Sequence, residues 1–576
     1  MTGSVQVELD LSNPQSHLVG VQLSFEAPHQ KQRVSLPGWT PGSYLIRDYV
    51  KQLEGVKAHQ QGQALPVKRT DPASWCLEAD PAGGPVTITY AVMATELTVR
   101  TCHLDQDHGF LALAAVVLEV EGKRWHPHQL RCRLPQDWSA FVPLPQEPTG
   151  AWLASDLDHL IDTPFEAGPH QEHHFAVHGV PHRWVTWFAD PATEAWFAGR
   201  YPEFFNDVEL ICRACCRLMG QSVPASSDYL FILHLLDEGY GGLEHDDSTV
   251  LVYGRRNLEA ENGYRKLLQL IAHEYFHQWN VRRLTPAELR PIDYQRATVI
   301  PTLWFAEGVT SYLDQLLPLQ AGLTAAADYF KDLGEDLSRY LLSPGRQVQT
   351  LRESSEEAWV KLYKADAYSA SSQISYYLKG AVVSLCLDLH LRRHHSSLAQ
   401  VMRSLWQSHG RHRRGYREAD LFSAFEAEVP GLAALLGRWL TDVDDPDCSG
   451  YLLDVGLALE PEMSSHPWTG MTTRQDGGRL VVQRVQRHSP AERAGLMVGD
   501  ELIGLAGHRL TQPDQIPALL QAEQNQPLLM ARRSALRELT LCSAPPQPKR
   551  YVLAPLATVS AAQQAAQEAW LQQRAG

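Results

Sequence analysis

Two histidines four residues apart, His273 and His277, constrain the fold of this chain more than any other feature of its sequence. They lie at the end of an apolar stretch that begins at Leu267, and residues spaced by four share one face of an α-helix. The stretch therefore predicts a buried helix in which both imidazoles need a polar partner. One tetrahedral cation satisfies both, and Glu274 can then take a proton from a water beside that cation. Histidines that only hydrogen-bond to their surroundings are the alternative for this motif alone.

A third candidate ligand, Glu307, follows in Leu303-Trp-Phe-Ala-Glu307-Gly, at the start of a second predicted helical segment. Two histidines and one glutamate, with the fourth position left to water, form the pattern of catalytic rather than structural zinc sites. Asp314 lies two turns after Glu307 on about the same face, and we expect it to accept a hydrogen bond from a ligand histidine. An exposed helical acid is the alternative interpretation of Asp314.

The composition excludes several classes of protein. At roughly 100–200 residues per domain, the 576 residues should form about three to five domains. The net charge of −15 argues against nucleic acid as a partner, because phosphate binding needs a basic face. The sequence has no apolar run long enough to span a membrane. Its first residues lack the features of a secretory signal, so we expect a cytoplasmic location.

Four segments of the chain differ in their residue patterns. Residues 1–168 contain short alternating or β-branched runs between Pro, Gly, Asn and Asp, which predict a β-sandwich-like domain; residues 112–120 are one strand candidate. Residues 169–450 combine strand candidates with long segments of helical spacing. Strands return in residues 451–547, and residues 548–576 form a tail that is predicted to be helical. The fold class is therefore multidomain α+β.

The two motifs together, His-Glu-x-x-His-Gln-Trp and Leu-Trp-x-x-Glu-Gly, resemble those of the gluzincin zinc metallopeptidases. The 29 residues between His277 and Glu307 exceed the spacing of most gluzincin aminopeptidases. This longer connection is similar to that of the glycyl aminopeptidase family, whose members carry a PDZ domain. Residues 36–49, Leu-Pro-Gly-Trp-Thr-Pro-Gly-Ser-Tyr-Leu-Ile-Arg-Asp-Tyr, and residues 375–380, Ser-Tyr-Tyr-Leu-Lys-Gly, are also typical of that family.

The resemblance implies a metal site and a fold. It implies one Zn²⁺ per chain, bound by His273, His277 and Glu307, with Glu274 as the general base. It also implies that residues 169–450 form a thermolysin-like peptidase domain with a helical second half. Sites with two histidines and one glutamate accept several divalent ions, so the sequence leaves open which metal the cell supplies.

A glycine-rich segment upstream of the helix, Tyr240-Gly241-Gly242-Leu243-Glu244-His245, is similar to the Gly-x-Met-Glu-Asn motif of gluzincin aminopeptidases. The similarity implies that Glu244 binds the α-amine of the substrate. Gly241 and Gly242 would let the substrate backbone approach closely. Leu243 in place of Met keeps the size of the side chain, whereas His245 in place of Asn leaves the detail of amine recognition open.

A tyrosine downstream is the candidate for stabilising an oxyanion. Related aminopeptidases have a Tyr-x-Lys-Gly sequence, and the match here is Tyr377-Leu-Lys379-Gly380. We expect the Tyr377 hydroxyl to share the negative charge that develops on the substrate carbonyl oxygen. Tyr376 should point about 100° away on a helix and take no part. The alternative is that both tyrosines are aromatic residues of the core.

The C-terminal strands contain Ser489-Pro-Ala-x-x-Ala-Gly495-Leu-x-x-Gly499-Asp500-x-Leu-Ile, which resembles the signature of bacterial PDZ domains. Gly495 suits a left-handed helix cap and Gly499 suits the turn before the next strand. PDZ domains bind extended C-terminal peptides by adding a strand to a sheet. The groove either binds such a peptide or is blocked in a purely structural domain.

The sequence thus indicates a zinc aminopeptidase that hydrolyses the N-terminal bond of peptides with a free N-terminus. The family implies a preference for small first residues such as Gly or Ala. Two alternatives remain open: a zinc endopeptidase that uses the same site, and a PDZ-based peptide-binding protein with a degenerate peptidase fold. We expect a peptide substrate, a possible C-terminal peptide on the PDZ domain, and neither nucleic acid nor membrane as partner.

Overall fold

A computed structural model describes residues 3–572. The chain forms two compact units. The first unit comprises the described part of Met1–Thr298 together with Arg403–Tyr416, and the second comprises Val299–Met402 with the described part of Arg417–Gly576. Both contain helices and sheets, so the predicted α+β class is confirmed.

The N-terminal part of the first unit is built from three sheets. In spatial order the seven-stranded sheet contains Trp152–Ala154, His128–Arg133, Val5–Asp10, Leu18–Glu26, Pro85–Met93, Leu53–Gln60 and Gln63–Leu65. A four-stranded sheet contains Ser139–Phe141, Pro164–Gly168, Gly109–Ala112 and Cys102–Leu104. Another contains Glu119–Val120, Lys31–Ser35, Ser74–Glu78 and Val67–Asp71. Alternate residues of these strands are buried, as in Val5–Asp10, and together they form one large apolar core.

The strand predicted over residues 112–120 is wrong. The chain there ends a strand at Ala112, forms a 3-10 turn over Leu113–Ala115, and re-enters a sheet only at Glu119–Val120. Residues 111–118 are all buried. A continuous apolar run has no periodicity that separates a buried strand from other buried backbone, which is why the sequence misleads here.

A five-stranded sheet follows in the first unit, with the order Glu172–Val177, Val180–Phe188, Tyr229–Leu236, Ser248–Gly254 and Tyr240–Glu244. Tyr229–Leu236 runs parallel to both of its neighbours. It is apolar at almost every position and nearly all buried, as expected for a parallel strand covered on both faces. Tyr240–Glu244 pairs antiparallel with Ser248–Gly254 and lies at the edge of the sheet.

Helices cover this sheet. The first unit contains Leu157–Ile161, Pro191–Arg200, Phe204–Leu218, Arg255–Leu258 and Gly263–Phe276. The last of these, called here the histidine helix, packs on the sheet through Tyr275, whose ring stacks on Phe231 at 5.6 Å between centroids. The Tyr275 hydroxyl also lies 2.9 Å from Nε2 of His182. These contacts fix the rotation of the histidine helix about its axis.

The second unit is mainly helical before residue 457. Its helices are Trp304–Gly308, Val309–Gln320, Ala326–Leu341, Leu351–Glu356, Tyr376–Arg393, Glu418–Glu428, Leu432–Thr441 and Cys448–Asp454. Leu398–Ser408 crosses the boundary between the units. Trp304–Gly308 is a single π-helical turn that leads directly into Val309–Gln320. Such turns are rare in proteins overall, but those that occur are often found at functional sites.

The C-terminal part of the second unit contains a sheet of Met471–Asp476, Arg479–Val485, Glu501–Leu505, Asn525–Arg532 and Ala535–Cys542, with His508–Arg509 paired to the third strand. The short helices Pro490–Arg493 and Gln515–Leu519 belong to the same segment. The tail differs from the prediction for residues 548–576. It begins with a strand, Pro548–Pro555, that pairs with Leu457–Met463, and its helix is confined to Ala561–Leu571.

Within residues 3–572, we find no helix with the length and apolar character needed to cross a membrane.

Candidate active site

The histidine helix ends at Phe276, one residue before the second histidine of the motif. His277 nevertheless keeps helical dihedral angles, with φ −60° and ψ −18°. The spacing of one turn between His273 and His277 is therefore preserved, and their ring centroids lie 4.7 Å apart at 84°. Both imidazoles project from the same side of the helix, as the sequence predicts.

A backbone contact sets the tautomer of His277. Its Nδ1 lies 2.7 Å from the carbonyl oxygen of Asn280. Because a carbonyl oxygen only accepts hydrogen bonds, Nδ1 carries the proton in the neutral ring and donates it. In this tautomer Nε2 carries the lone pair, as it does in histidines that bind a metal through Nε2 while Nδ1 donates a hydrogen bond to a carbonyl.

Glu274 lies against the edge strand Tyr240–Glu244. A Cβ on Gly242 would lie 2.1 Å from Oε1 of Glu274, so only glycine permits this approach. The carbonyl oxygen of Gly242 accepts a hydrogen bond of 3.0 Å from Arg100, which the sequence did not single out. A Cβ on Gly241, in contrast, would meet no atom within 4 Å. The two glycines of the motif therefore face different surroundings.

Glu244 is buried at the end of the same strand, with 4% of its surface exposed. Ligand atoms of Glu244, Glu274 and His277 all lie within 4.8 Å of one another. Oε1 of Glu244 is buried and has no hydrogen-bond partner among residues 3–572. A buried carboxylate oxygen without a donor is costly, so this position calls for a cationic or hydrogen-bonding ligand.

The family-like segment of residues 36–49 passes directly over Glu244. A Cβ on Gly42 would lie 2.7 Å from both carboxylate oxygens of Glu244, and Gly42 has a φ of +80°. Glycine is thus required at this position both for its conformation and for the close approach. The indole of Trp39 in the same segment donates a 2.8 Å hydrogen bond to the carbonyl of Asp293, which anchors the loop.

His245, the departure from the usual Asn, is part of an ion-pair network. Its Nδ1 lies 3.2 Å from Oδ1 of Asp162, and Arg282 reaches the same oxygen at 2.7 Å. Burial opposes the charge of Arg282, but Asp162 and Asp246 hold the pKa of Arg282 above its ordinary value. Neither Asp162 nor Arg282 carries a sequence signal, because their roles arise from contacts between distant segments.

Glu244 borders a cleft of about 700 Å³ in the first unit. Aromatic side chains and carboxylates line it, among them Trp39, Tyr44, Trp125, Asp162 and Tyr294. A cleft of this size accommodates a small ligand.

The second unit contains the remaining predicted site residues. Glu307 lies in the π-helical turn Trp304–Gly308 and is 2% exposed. The helix Tyr376–Arg393 crosses this turn closely, because a Cβ on Gly308 would lie 2.5 Å from the Cα of Gly380. Burial, and next the charge of Glu307, raise the pKa of Tyr377 well above its usual value. The Tyr377 hydroxyl therefore stays protonated and able to donate.

A second phenol accompanies Tyr377. The hydroxyl of Tyr363, which sequence reasoning missed, lies 3.3 Å from that of Tyr377. Tyr376 was expected to point away, yet its ring stacks on Tyr377 at 4.7 Å. Tyr376 is fully buried, so it supports the neighbouring ring from within the core. Asp314 is partly buried on Val309–Gln320, and its predicted contact with a ligand histidine stays a prediction.

Comparisons with known proteins agree with this geometry. The family profile of the Peptidase M61 N-terminal domain matches residues 6–169, that of the M61 glycyl aminopeptidase matches residues 266–383, and that of a PDZ domain matches residues 481–531. No curated protein shows significant sequence similarity to the chain.

A solved structure shares the overall fold of the chain. An aminopeptidase N family protein from Idiomarina loihiensis is 29% identical, with a TM-score of 0.90 over 99% of this chain and 100% of that one. An M1 zinc metallopeptidase from Deinococcus radiodurans is 15% identical, with a TM-score of 0.48 over 78% of this chain and 95% of that one.

The matches to both M61 domains lie where the sequence motifs and the site geometry place them. The chain therefore belongs to the M61 glycyl aminopeptidase family, and it is a metallopeptidase of the aminopeptidase type that carries a C-terminal PDZ domain.

Proposed function

We propose that this protein is a zinc-dependent aminopeptidase that removes small residues from the N-terminus of peptides. The observation that carries the proposal is the buried Oε1 of Glu244, which lacks a donor among the described residues and lies close to Glu274 and His277. A free α-ammonium group supplies such a donor together with a compensating charge. An endopeptidase needs no carboxylate at this position.

The metal ligands in this proposal are His273, His277 and Glu307. Two imidazole nitrogens and one carboxylate oxygen suit zinc, and the hydrogen bond from Nδ1 of His277 to Asn280 makes Nε2 the nitrogen that would bind the metal. A zinc ion bound there supplies Lewis acidity, which makes water nucleophilic near neutral pH and polarises a carbonyl. Asp314 would orient one ligand histidine.

Other residues of the chain position the substrate, transfer protons and stabilise the developing negative charge. The carboxylate of Glu244 holds the α-ammonium group and so positions the first peptide bond of the substrate. Glu274 accepts the proton of the attacking water and returns it to the leaving amine. The protonated hydroxyl of Tyr377 donates to the oxygen on which negative charge develops. Gly241 and Gly242 give the substrate backbone access to the edge strand.

The preference for small residues rests on the family and on the cleft. The matching family is described as a glycyl aminopeptidase, and Glu244 lies beneath Gly42 with Leu243 beside it. In this proposal the loop that covers Glu244 limits the space for the side chain of the first substrate residue. Glycine and alanine fit such a space, whereas leucine requires the loop to move.

The decisive assay compares Gly-, Ala- and Leu-p-nitroanilide with their N-acetylated forms. We expect kcat/KM to fall in the order Gly and Ala above Leu, and to fall by at least about 100-fold on acetylation, since acetylation removes the charge that Glu244 binds. Equal rates for free and acetylated substrates would overturn the aminopeptidase proposal. Internal cleavage of a blocked peptide would favour the endopeptidase.

The PDZ domain offers a second partner. PDZ domains bind the free C-terminus of an extended peptide by strand addition, so we propose a C-terminal peptide as its ligand. Titration of the catalytically inactive Glu274→Gln protein with a fluorescent peptide, amidated or free at its C-terminus, tests this. Binding that is lost on amidation supports the proposal, and binding to neither peptide contradicts it.

A further inference from the structure

A second cluster of histidines surrounds a buried glutamate in the first unit, away from the peptidase motifs. Glu166 is fully buried, and three imidazoles contact its carboxylate. Oε1 of Glu166 lies 3.0 Å from Nδ1 of His108 and 2.8 Å from Nε2 of His170. Oε2 lies 2.8 Å from Nε2 of His234. We call these four residues the Glu166 cluster.

The charge of Glu166 lacks a strong counterion. Within residues 3–572, each ion-pair partner of Glu166 is a histidine, and neutral imidazoles carry no charge. Histidines 108 and 234 are themselves fully buried. An ionised carboxylate in such surroundings needs a compensating charge, either a protonated imidazole or a bound cation.

The ligand atoms already have nearly the spacing of a metal site. The two nitrogens and the oxygen offered by His108, His170 and Glu166 all lie within 4.8 Å of one another. Two ligands of a tetrahedral zinc ion, at bond lengths of about 2.0–2.1 Å, lie roughly 3.3 Å apart. The observed contacts of 2.8 and 3.0 Å reach this spacing after shifts of a few tenths of an ångström.

The surroundings hold the rings in this orientation. Nε2 of His108 and Nδ1 of His234 are buried without a hydrogen-bond partner among the described residues. Each ring therefore makes its hydrogen bond through the other nitrogen, to Glu166. The ring of His108 stacks on Trp187 at 4.3 Å. A Cβ on Gly168 would lie 2.5 Å from Nε2 of His170, so glycine allows this ring to fold back over the carboxylate.

We propose that His108, Glu166 and His170 bind a second zinc-class divalent cation, with His234 holding the other oxygen of Glu166. Imidazole nitrogens select a transition metal over Ca²⁺ or Mg²⁺. Aromatic rings close the site, since Phe110 lies 5.0 Å from His234 and Phe141 lies 5.8 Å from His170. Closed zinc sites are structural, whereas catalytic ones keep a position for substrate. This site is separate from the single zinc ion that the sequence predicts.

The location of the cluster suggests what the metal does. His108 and Glu166 belong to the four-stranded sheet region of the N-terminal part, where Gly109–Ala112 pairs with Pro164–Gly168. His234 belongs to the strand Tyr229–Leu236 of the five-stranded sheet. A cation here ties these two parts of the first unit together, and its binding free energy adds to the stability of the fold.

The test is the zinc content of the full-length, untagged protein, measured by inductively coupled plasma mass spectrometry after dialysis against metal-free buffer. We expect about two zinc ions per wild-type chain, about one in His277→Ala, about one in His170→Ala, and none in the double variant. His174→Ala removes an exposed histidine that also pairs with a glutamate, at 3.1 Å, and should keep both ions. In His277→Ala only the Glu166 cluster is expected to bind zinc, so the zinc content of this variant tests the cluster independently of the peptidase proposal.

A second measurement distinguishes loss of a zinc site from misfolding of a variant. Added Zn²⁺ should raise the melting temperature of His277→Ala by several degrees and leave that of the double variant unchanged. His170→Ala should keep its near-ultraviolet circular dichroism and its aminopeptidase activity, which shows that the fold is intact. A folded His277→Ala that binds no zinc and shows no zinc-dependent shift would overturn the proposal. So would a His170→Ala protein with the full zinc content of the wild type.

Discussion

Two clusters in the first unit combine histidines with glutamates, and they differ in what lies around them. In the first, His273 and Glu274 lie on the histidine helix and His277 directly follows it, next to Glu244, which borders a cleft of about 700 Å³. In the second, the rings that contact Glu166 are covered by aromatic side chains. The same donor atoms can serve chemistry in one place and stability in the other.

The difference shows that access, rather than ligand type, decides the use of such a cluster. Imidazoles and carboxylates bind zinc in both catalytic and structural sites, but only an open site admits a substrate. The comparison predicts that substitutions near the histidine helix change turnover and leave stability nearly intact. Substitutions in the Glu166 cluster should do the reverse.

The largest effect is expected for Glu274→Gln. Glutamine keeps the size of the side chain and cannot accept the proton of water, so kcat should fall by about 10³-fold or more while zinc content stays unchanged. Steady-state kinetics with Gly-p-nitroanilide and metal analysis check this. Glu259→Gln, at an exposed glutamate, is the matched control and should keep wild-type kcat. Full activity of Glu274→Gln would contradict a catalytic role for the cluster on the histidine helix.

Tyr377→Phe should lower kcat by roughly 100-fold, because it removes a donor to the developing oxyanion. Tyr363→Phe, which removes the phenol that lies 3.3 Å from Tyr377, should have a smaller effect. The two variants separate a direct role in charge stabilisation from a positioning role. Wild-type kcat in Tyr377→Phe would show that the ring of Tyr377 acts only in packing.

Glu244→Gln should lower kcat/KM for free N-termini by roughly 10- to 100-fold, the value of a charge-assisted hydrogen bond. Acetylated substrates should be affected little, because they present no ammonium group. The ratio of kcat/KM for free and acetylated substrates is therefore the quantity to measure. A ratio equal to that of the wild type would contradict amine binding by Glu244.

A matched pair of glycines tests the packing of Glu274. Gly242→Ala should lower kcat by about tenfold or more, because its Cβ would lie 2.1 Å from Oε1 of Glu274 and must displace the carboxylate. Gly241→Ala adds its Cβ where no atom of the chain lies within 4 Å, so it should leave kcat within about threefold and change KM instead, through contact with the substrate backbone. Similar kcat values for the two variants would mean that the position of Glu274 is not fixed by the edge strand.

The smallest effect on activity is expected for Glu166→Gln, on the other side of the comparison. Its kcat/KM should stay within about twofold of the wild type, while its melting temperature falls, because a buried network loses its charge. Glu172→Gln, at a partly exposed glutamate that pairs with His174 and Arg183, should lower the melting temperature far less. Loss of activity in Glu166→Gln at a temperature where the protein is folded would contradict a purely stabilising role for the Glu166 cluster.

Local patterns predicted most of the candidate site. The spacing of His273 and His277, the apolar residues around them and the glycines before Glu244 are all short-range features with a period that backbone geometry dictates. Uniformly apolar runs lack such a period. The strand over residues 229–236 was predicted correctly, whereas the strand predicted over residues 112–120 was wrong, because uniform burial hides the backbone conformation.

The strand Pro548–Pro555 illustrates a second limit. It was predicted as part of a helical tail, yet it pairs with Leu457–Met463, almost a hundred positions earlier in the chain. Strand pairing across such separations depends on how the whole unit packs. Neither segment alone carries a signal for its partner.

By itself, the sequence identified the family and predicted the metal-binding motifs and the order of the domains, since each is encoded within short stretches whose geometry is local. Only the tertiary structure decided that Gly42 covers Glu244, that Asp162 pairs with both His245 and Arg282, and that histidines 108, 170 and 234 meet at Glu166. These contacts join residues far apart in the chain. Their formation depends on the packing of strands and loops, for which a single sequence contains no periodic signal.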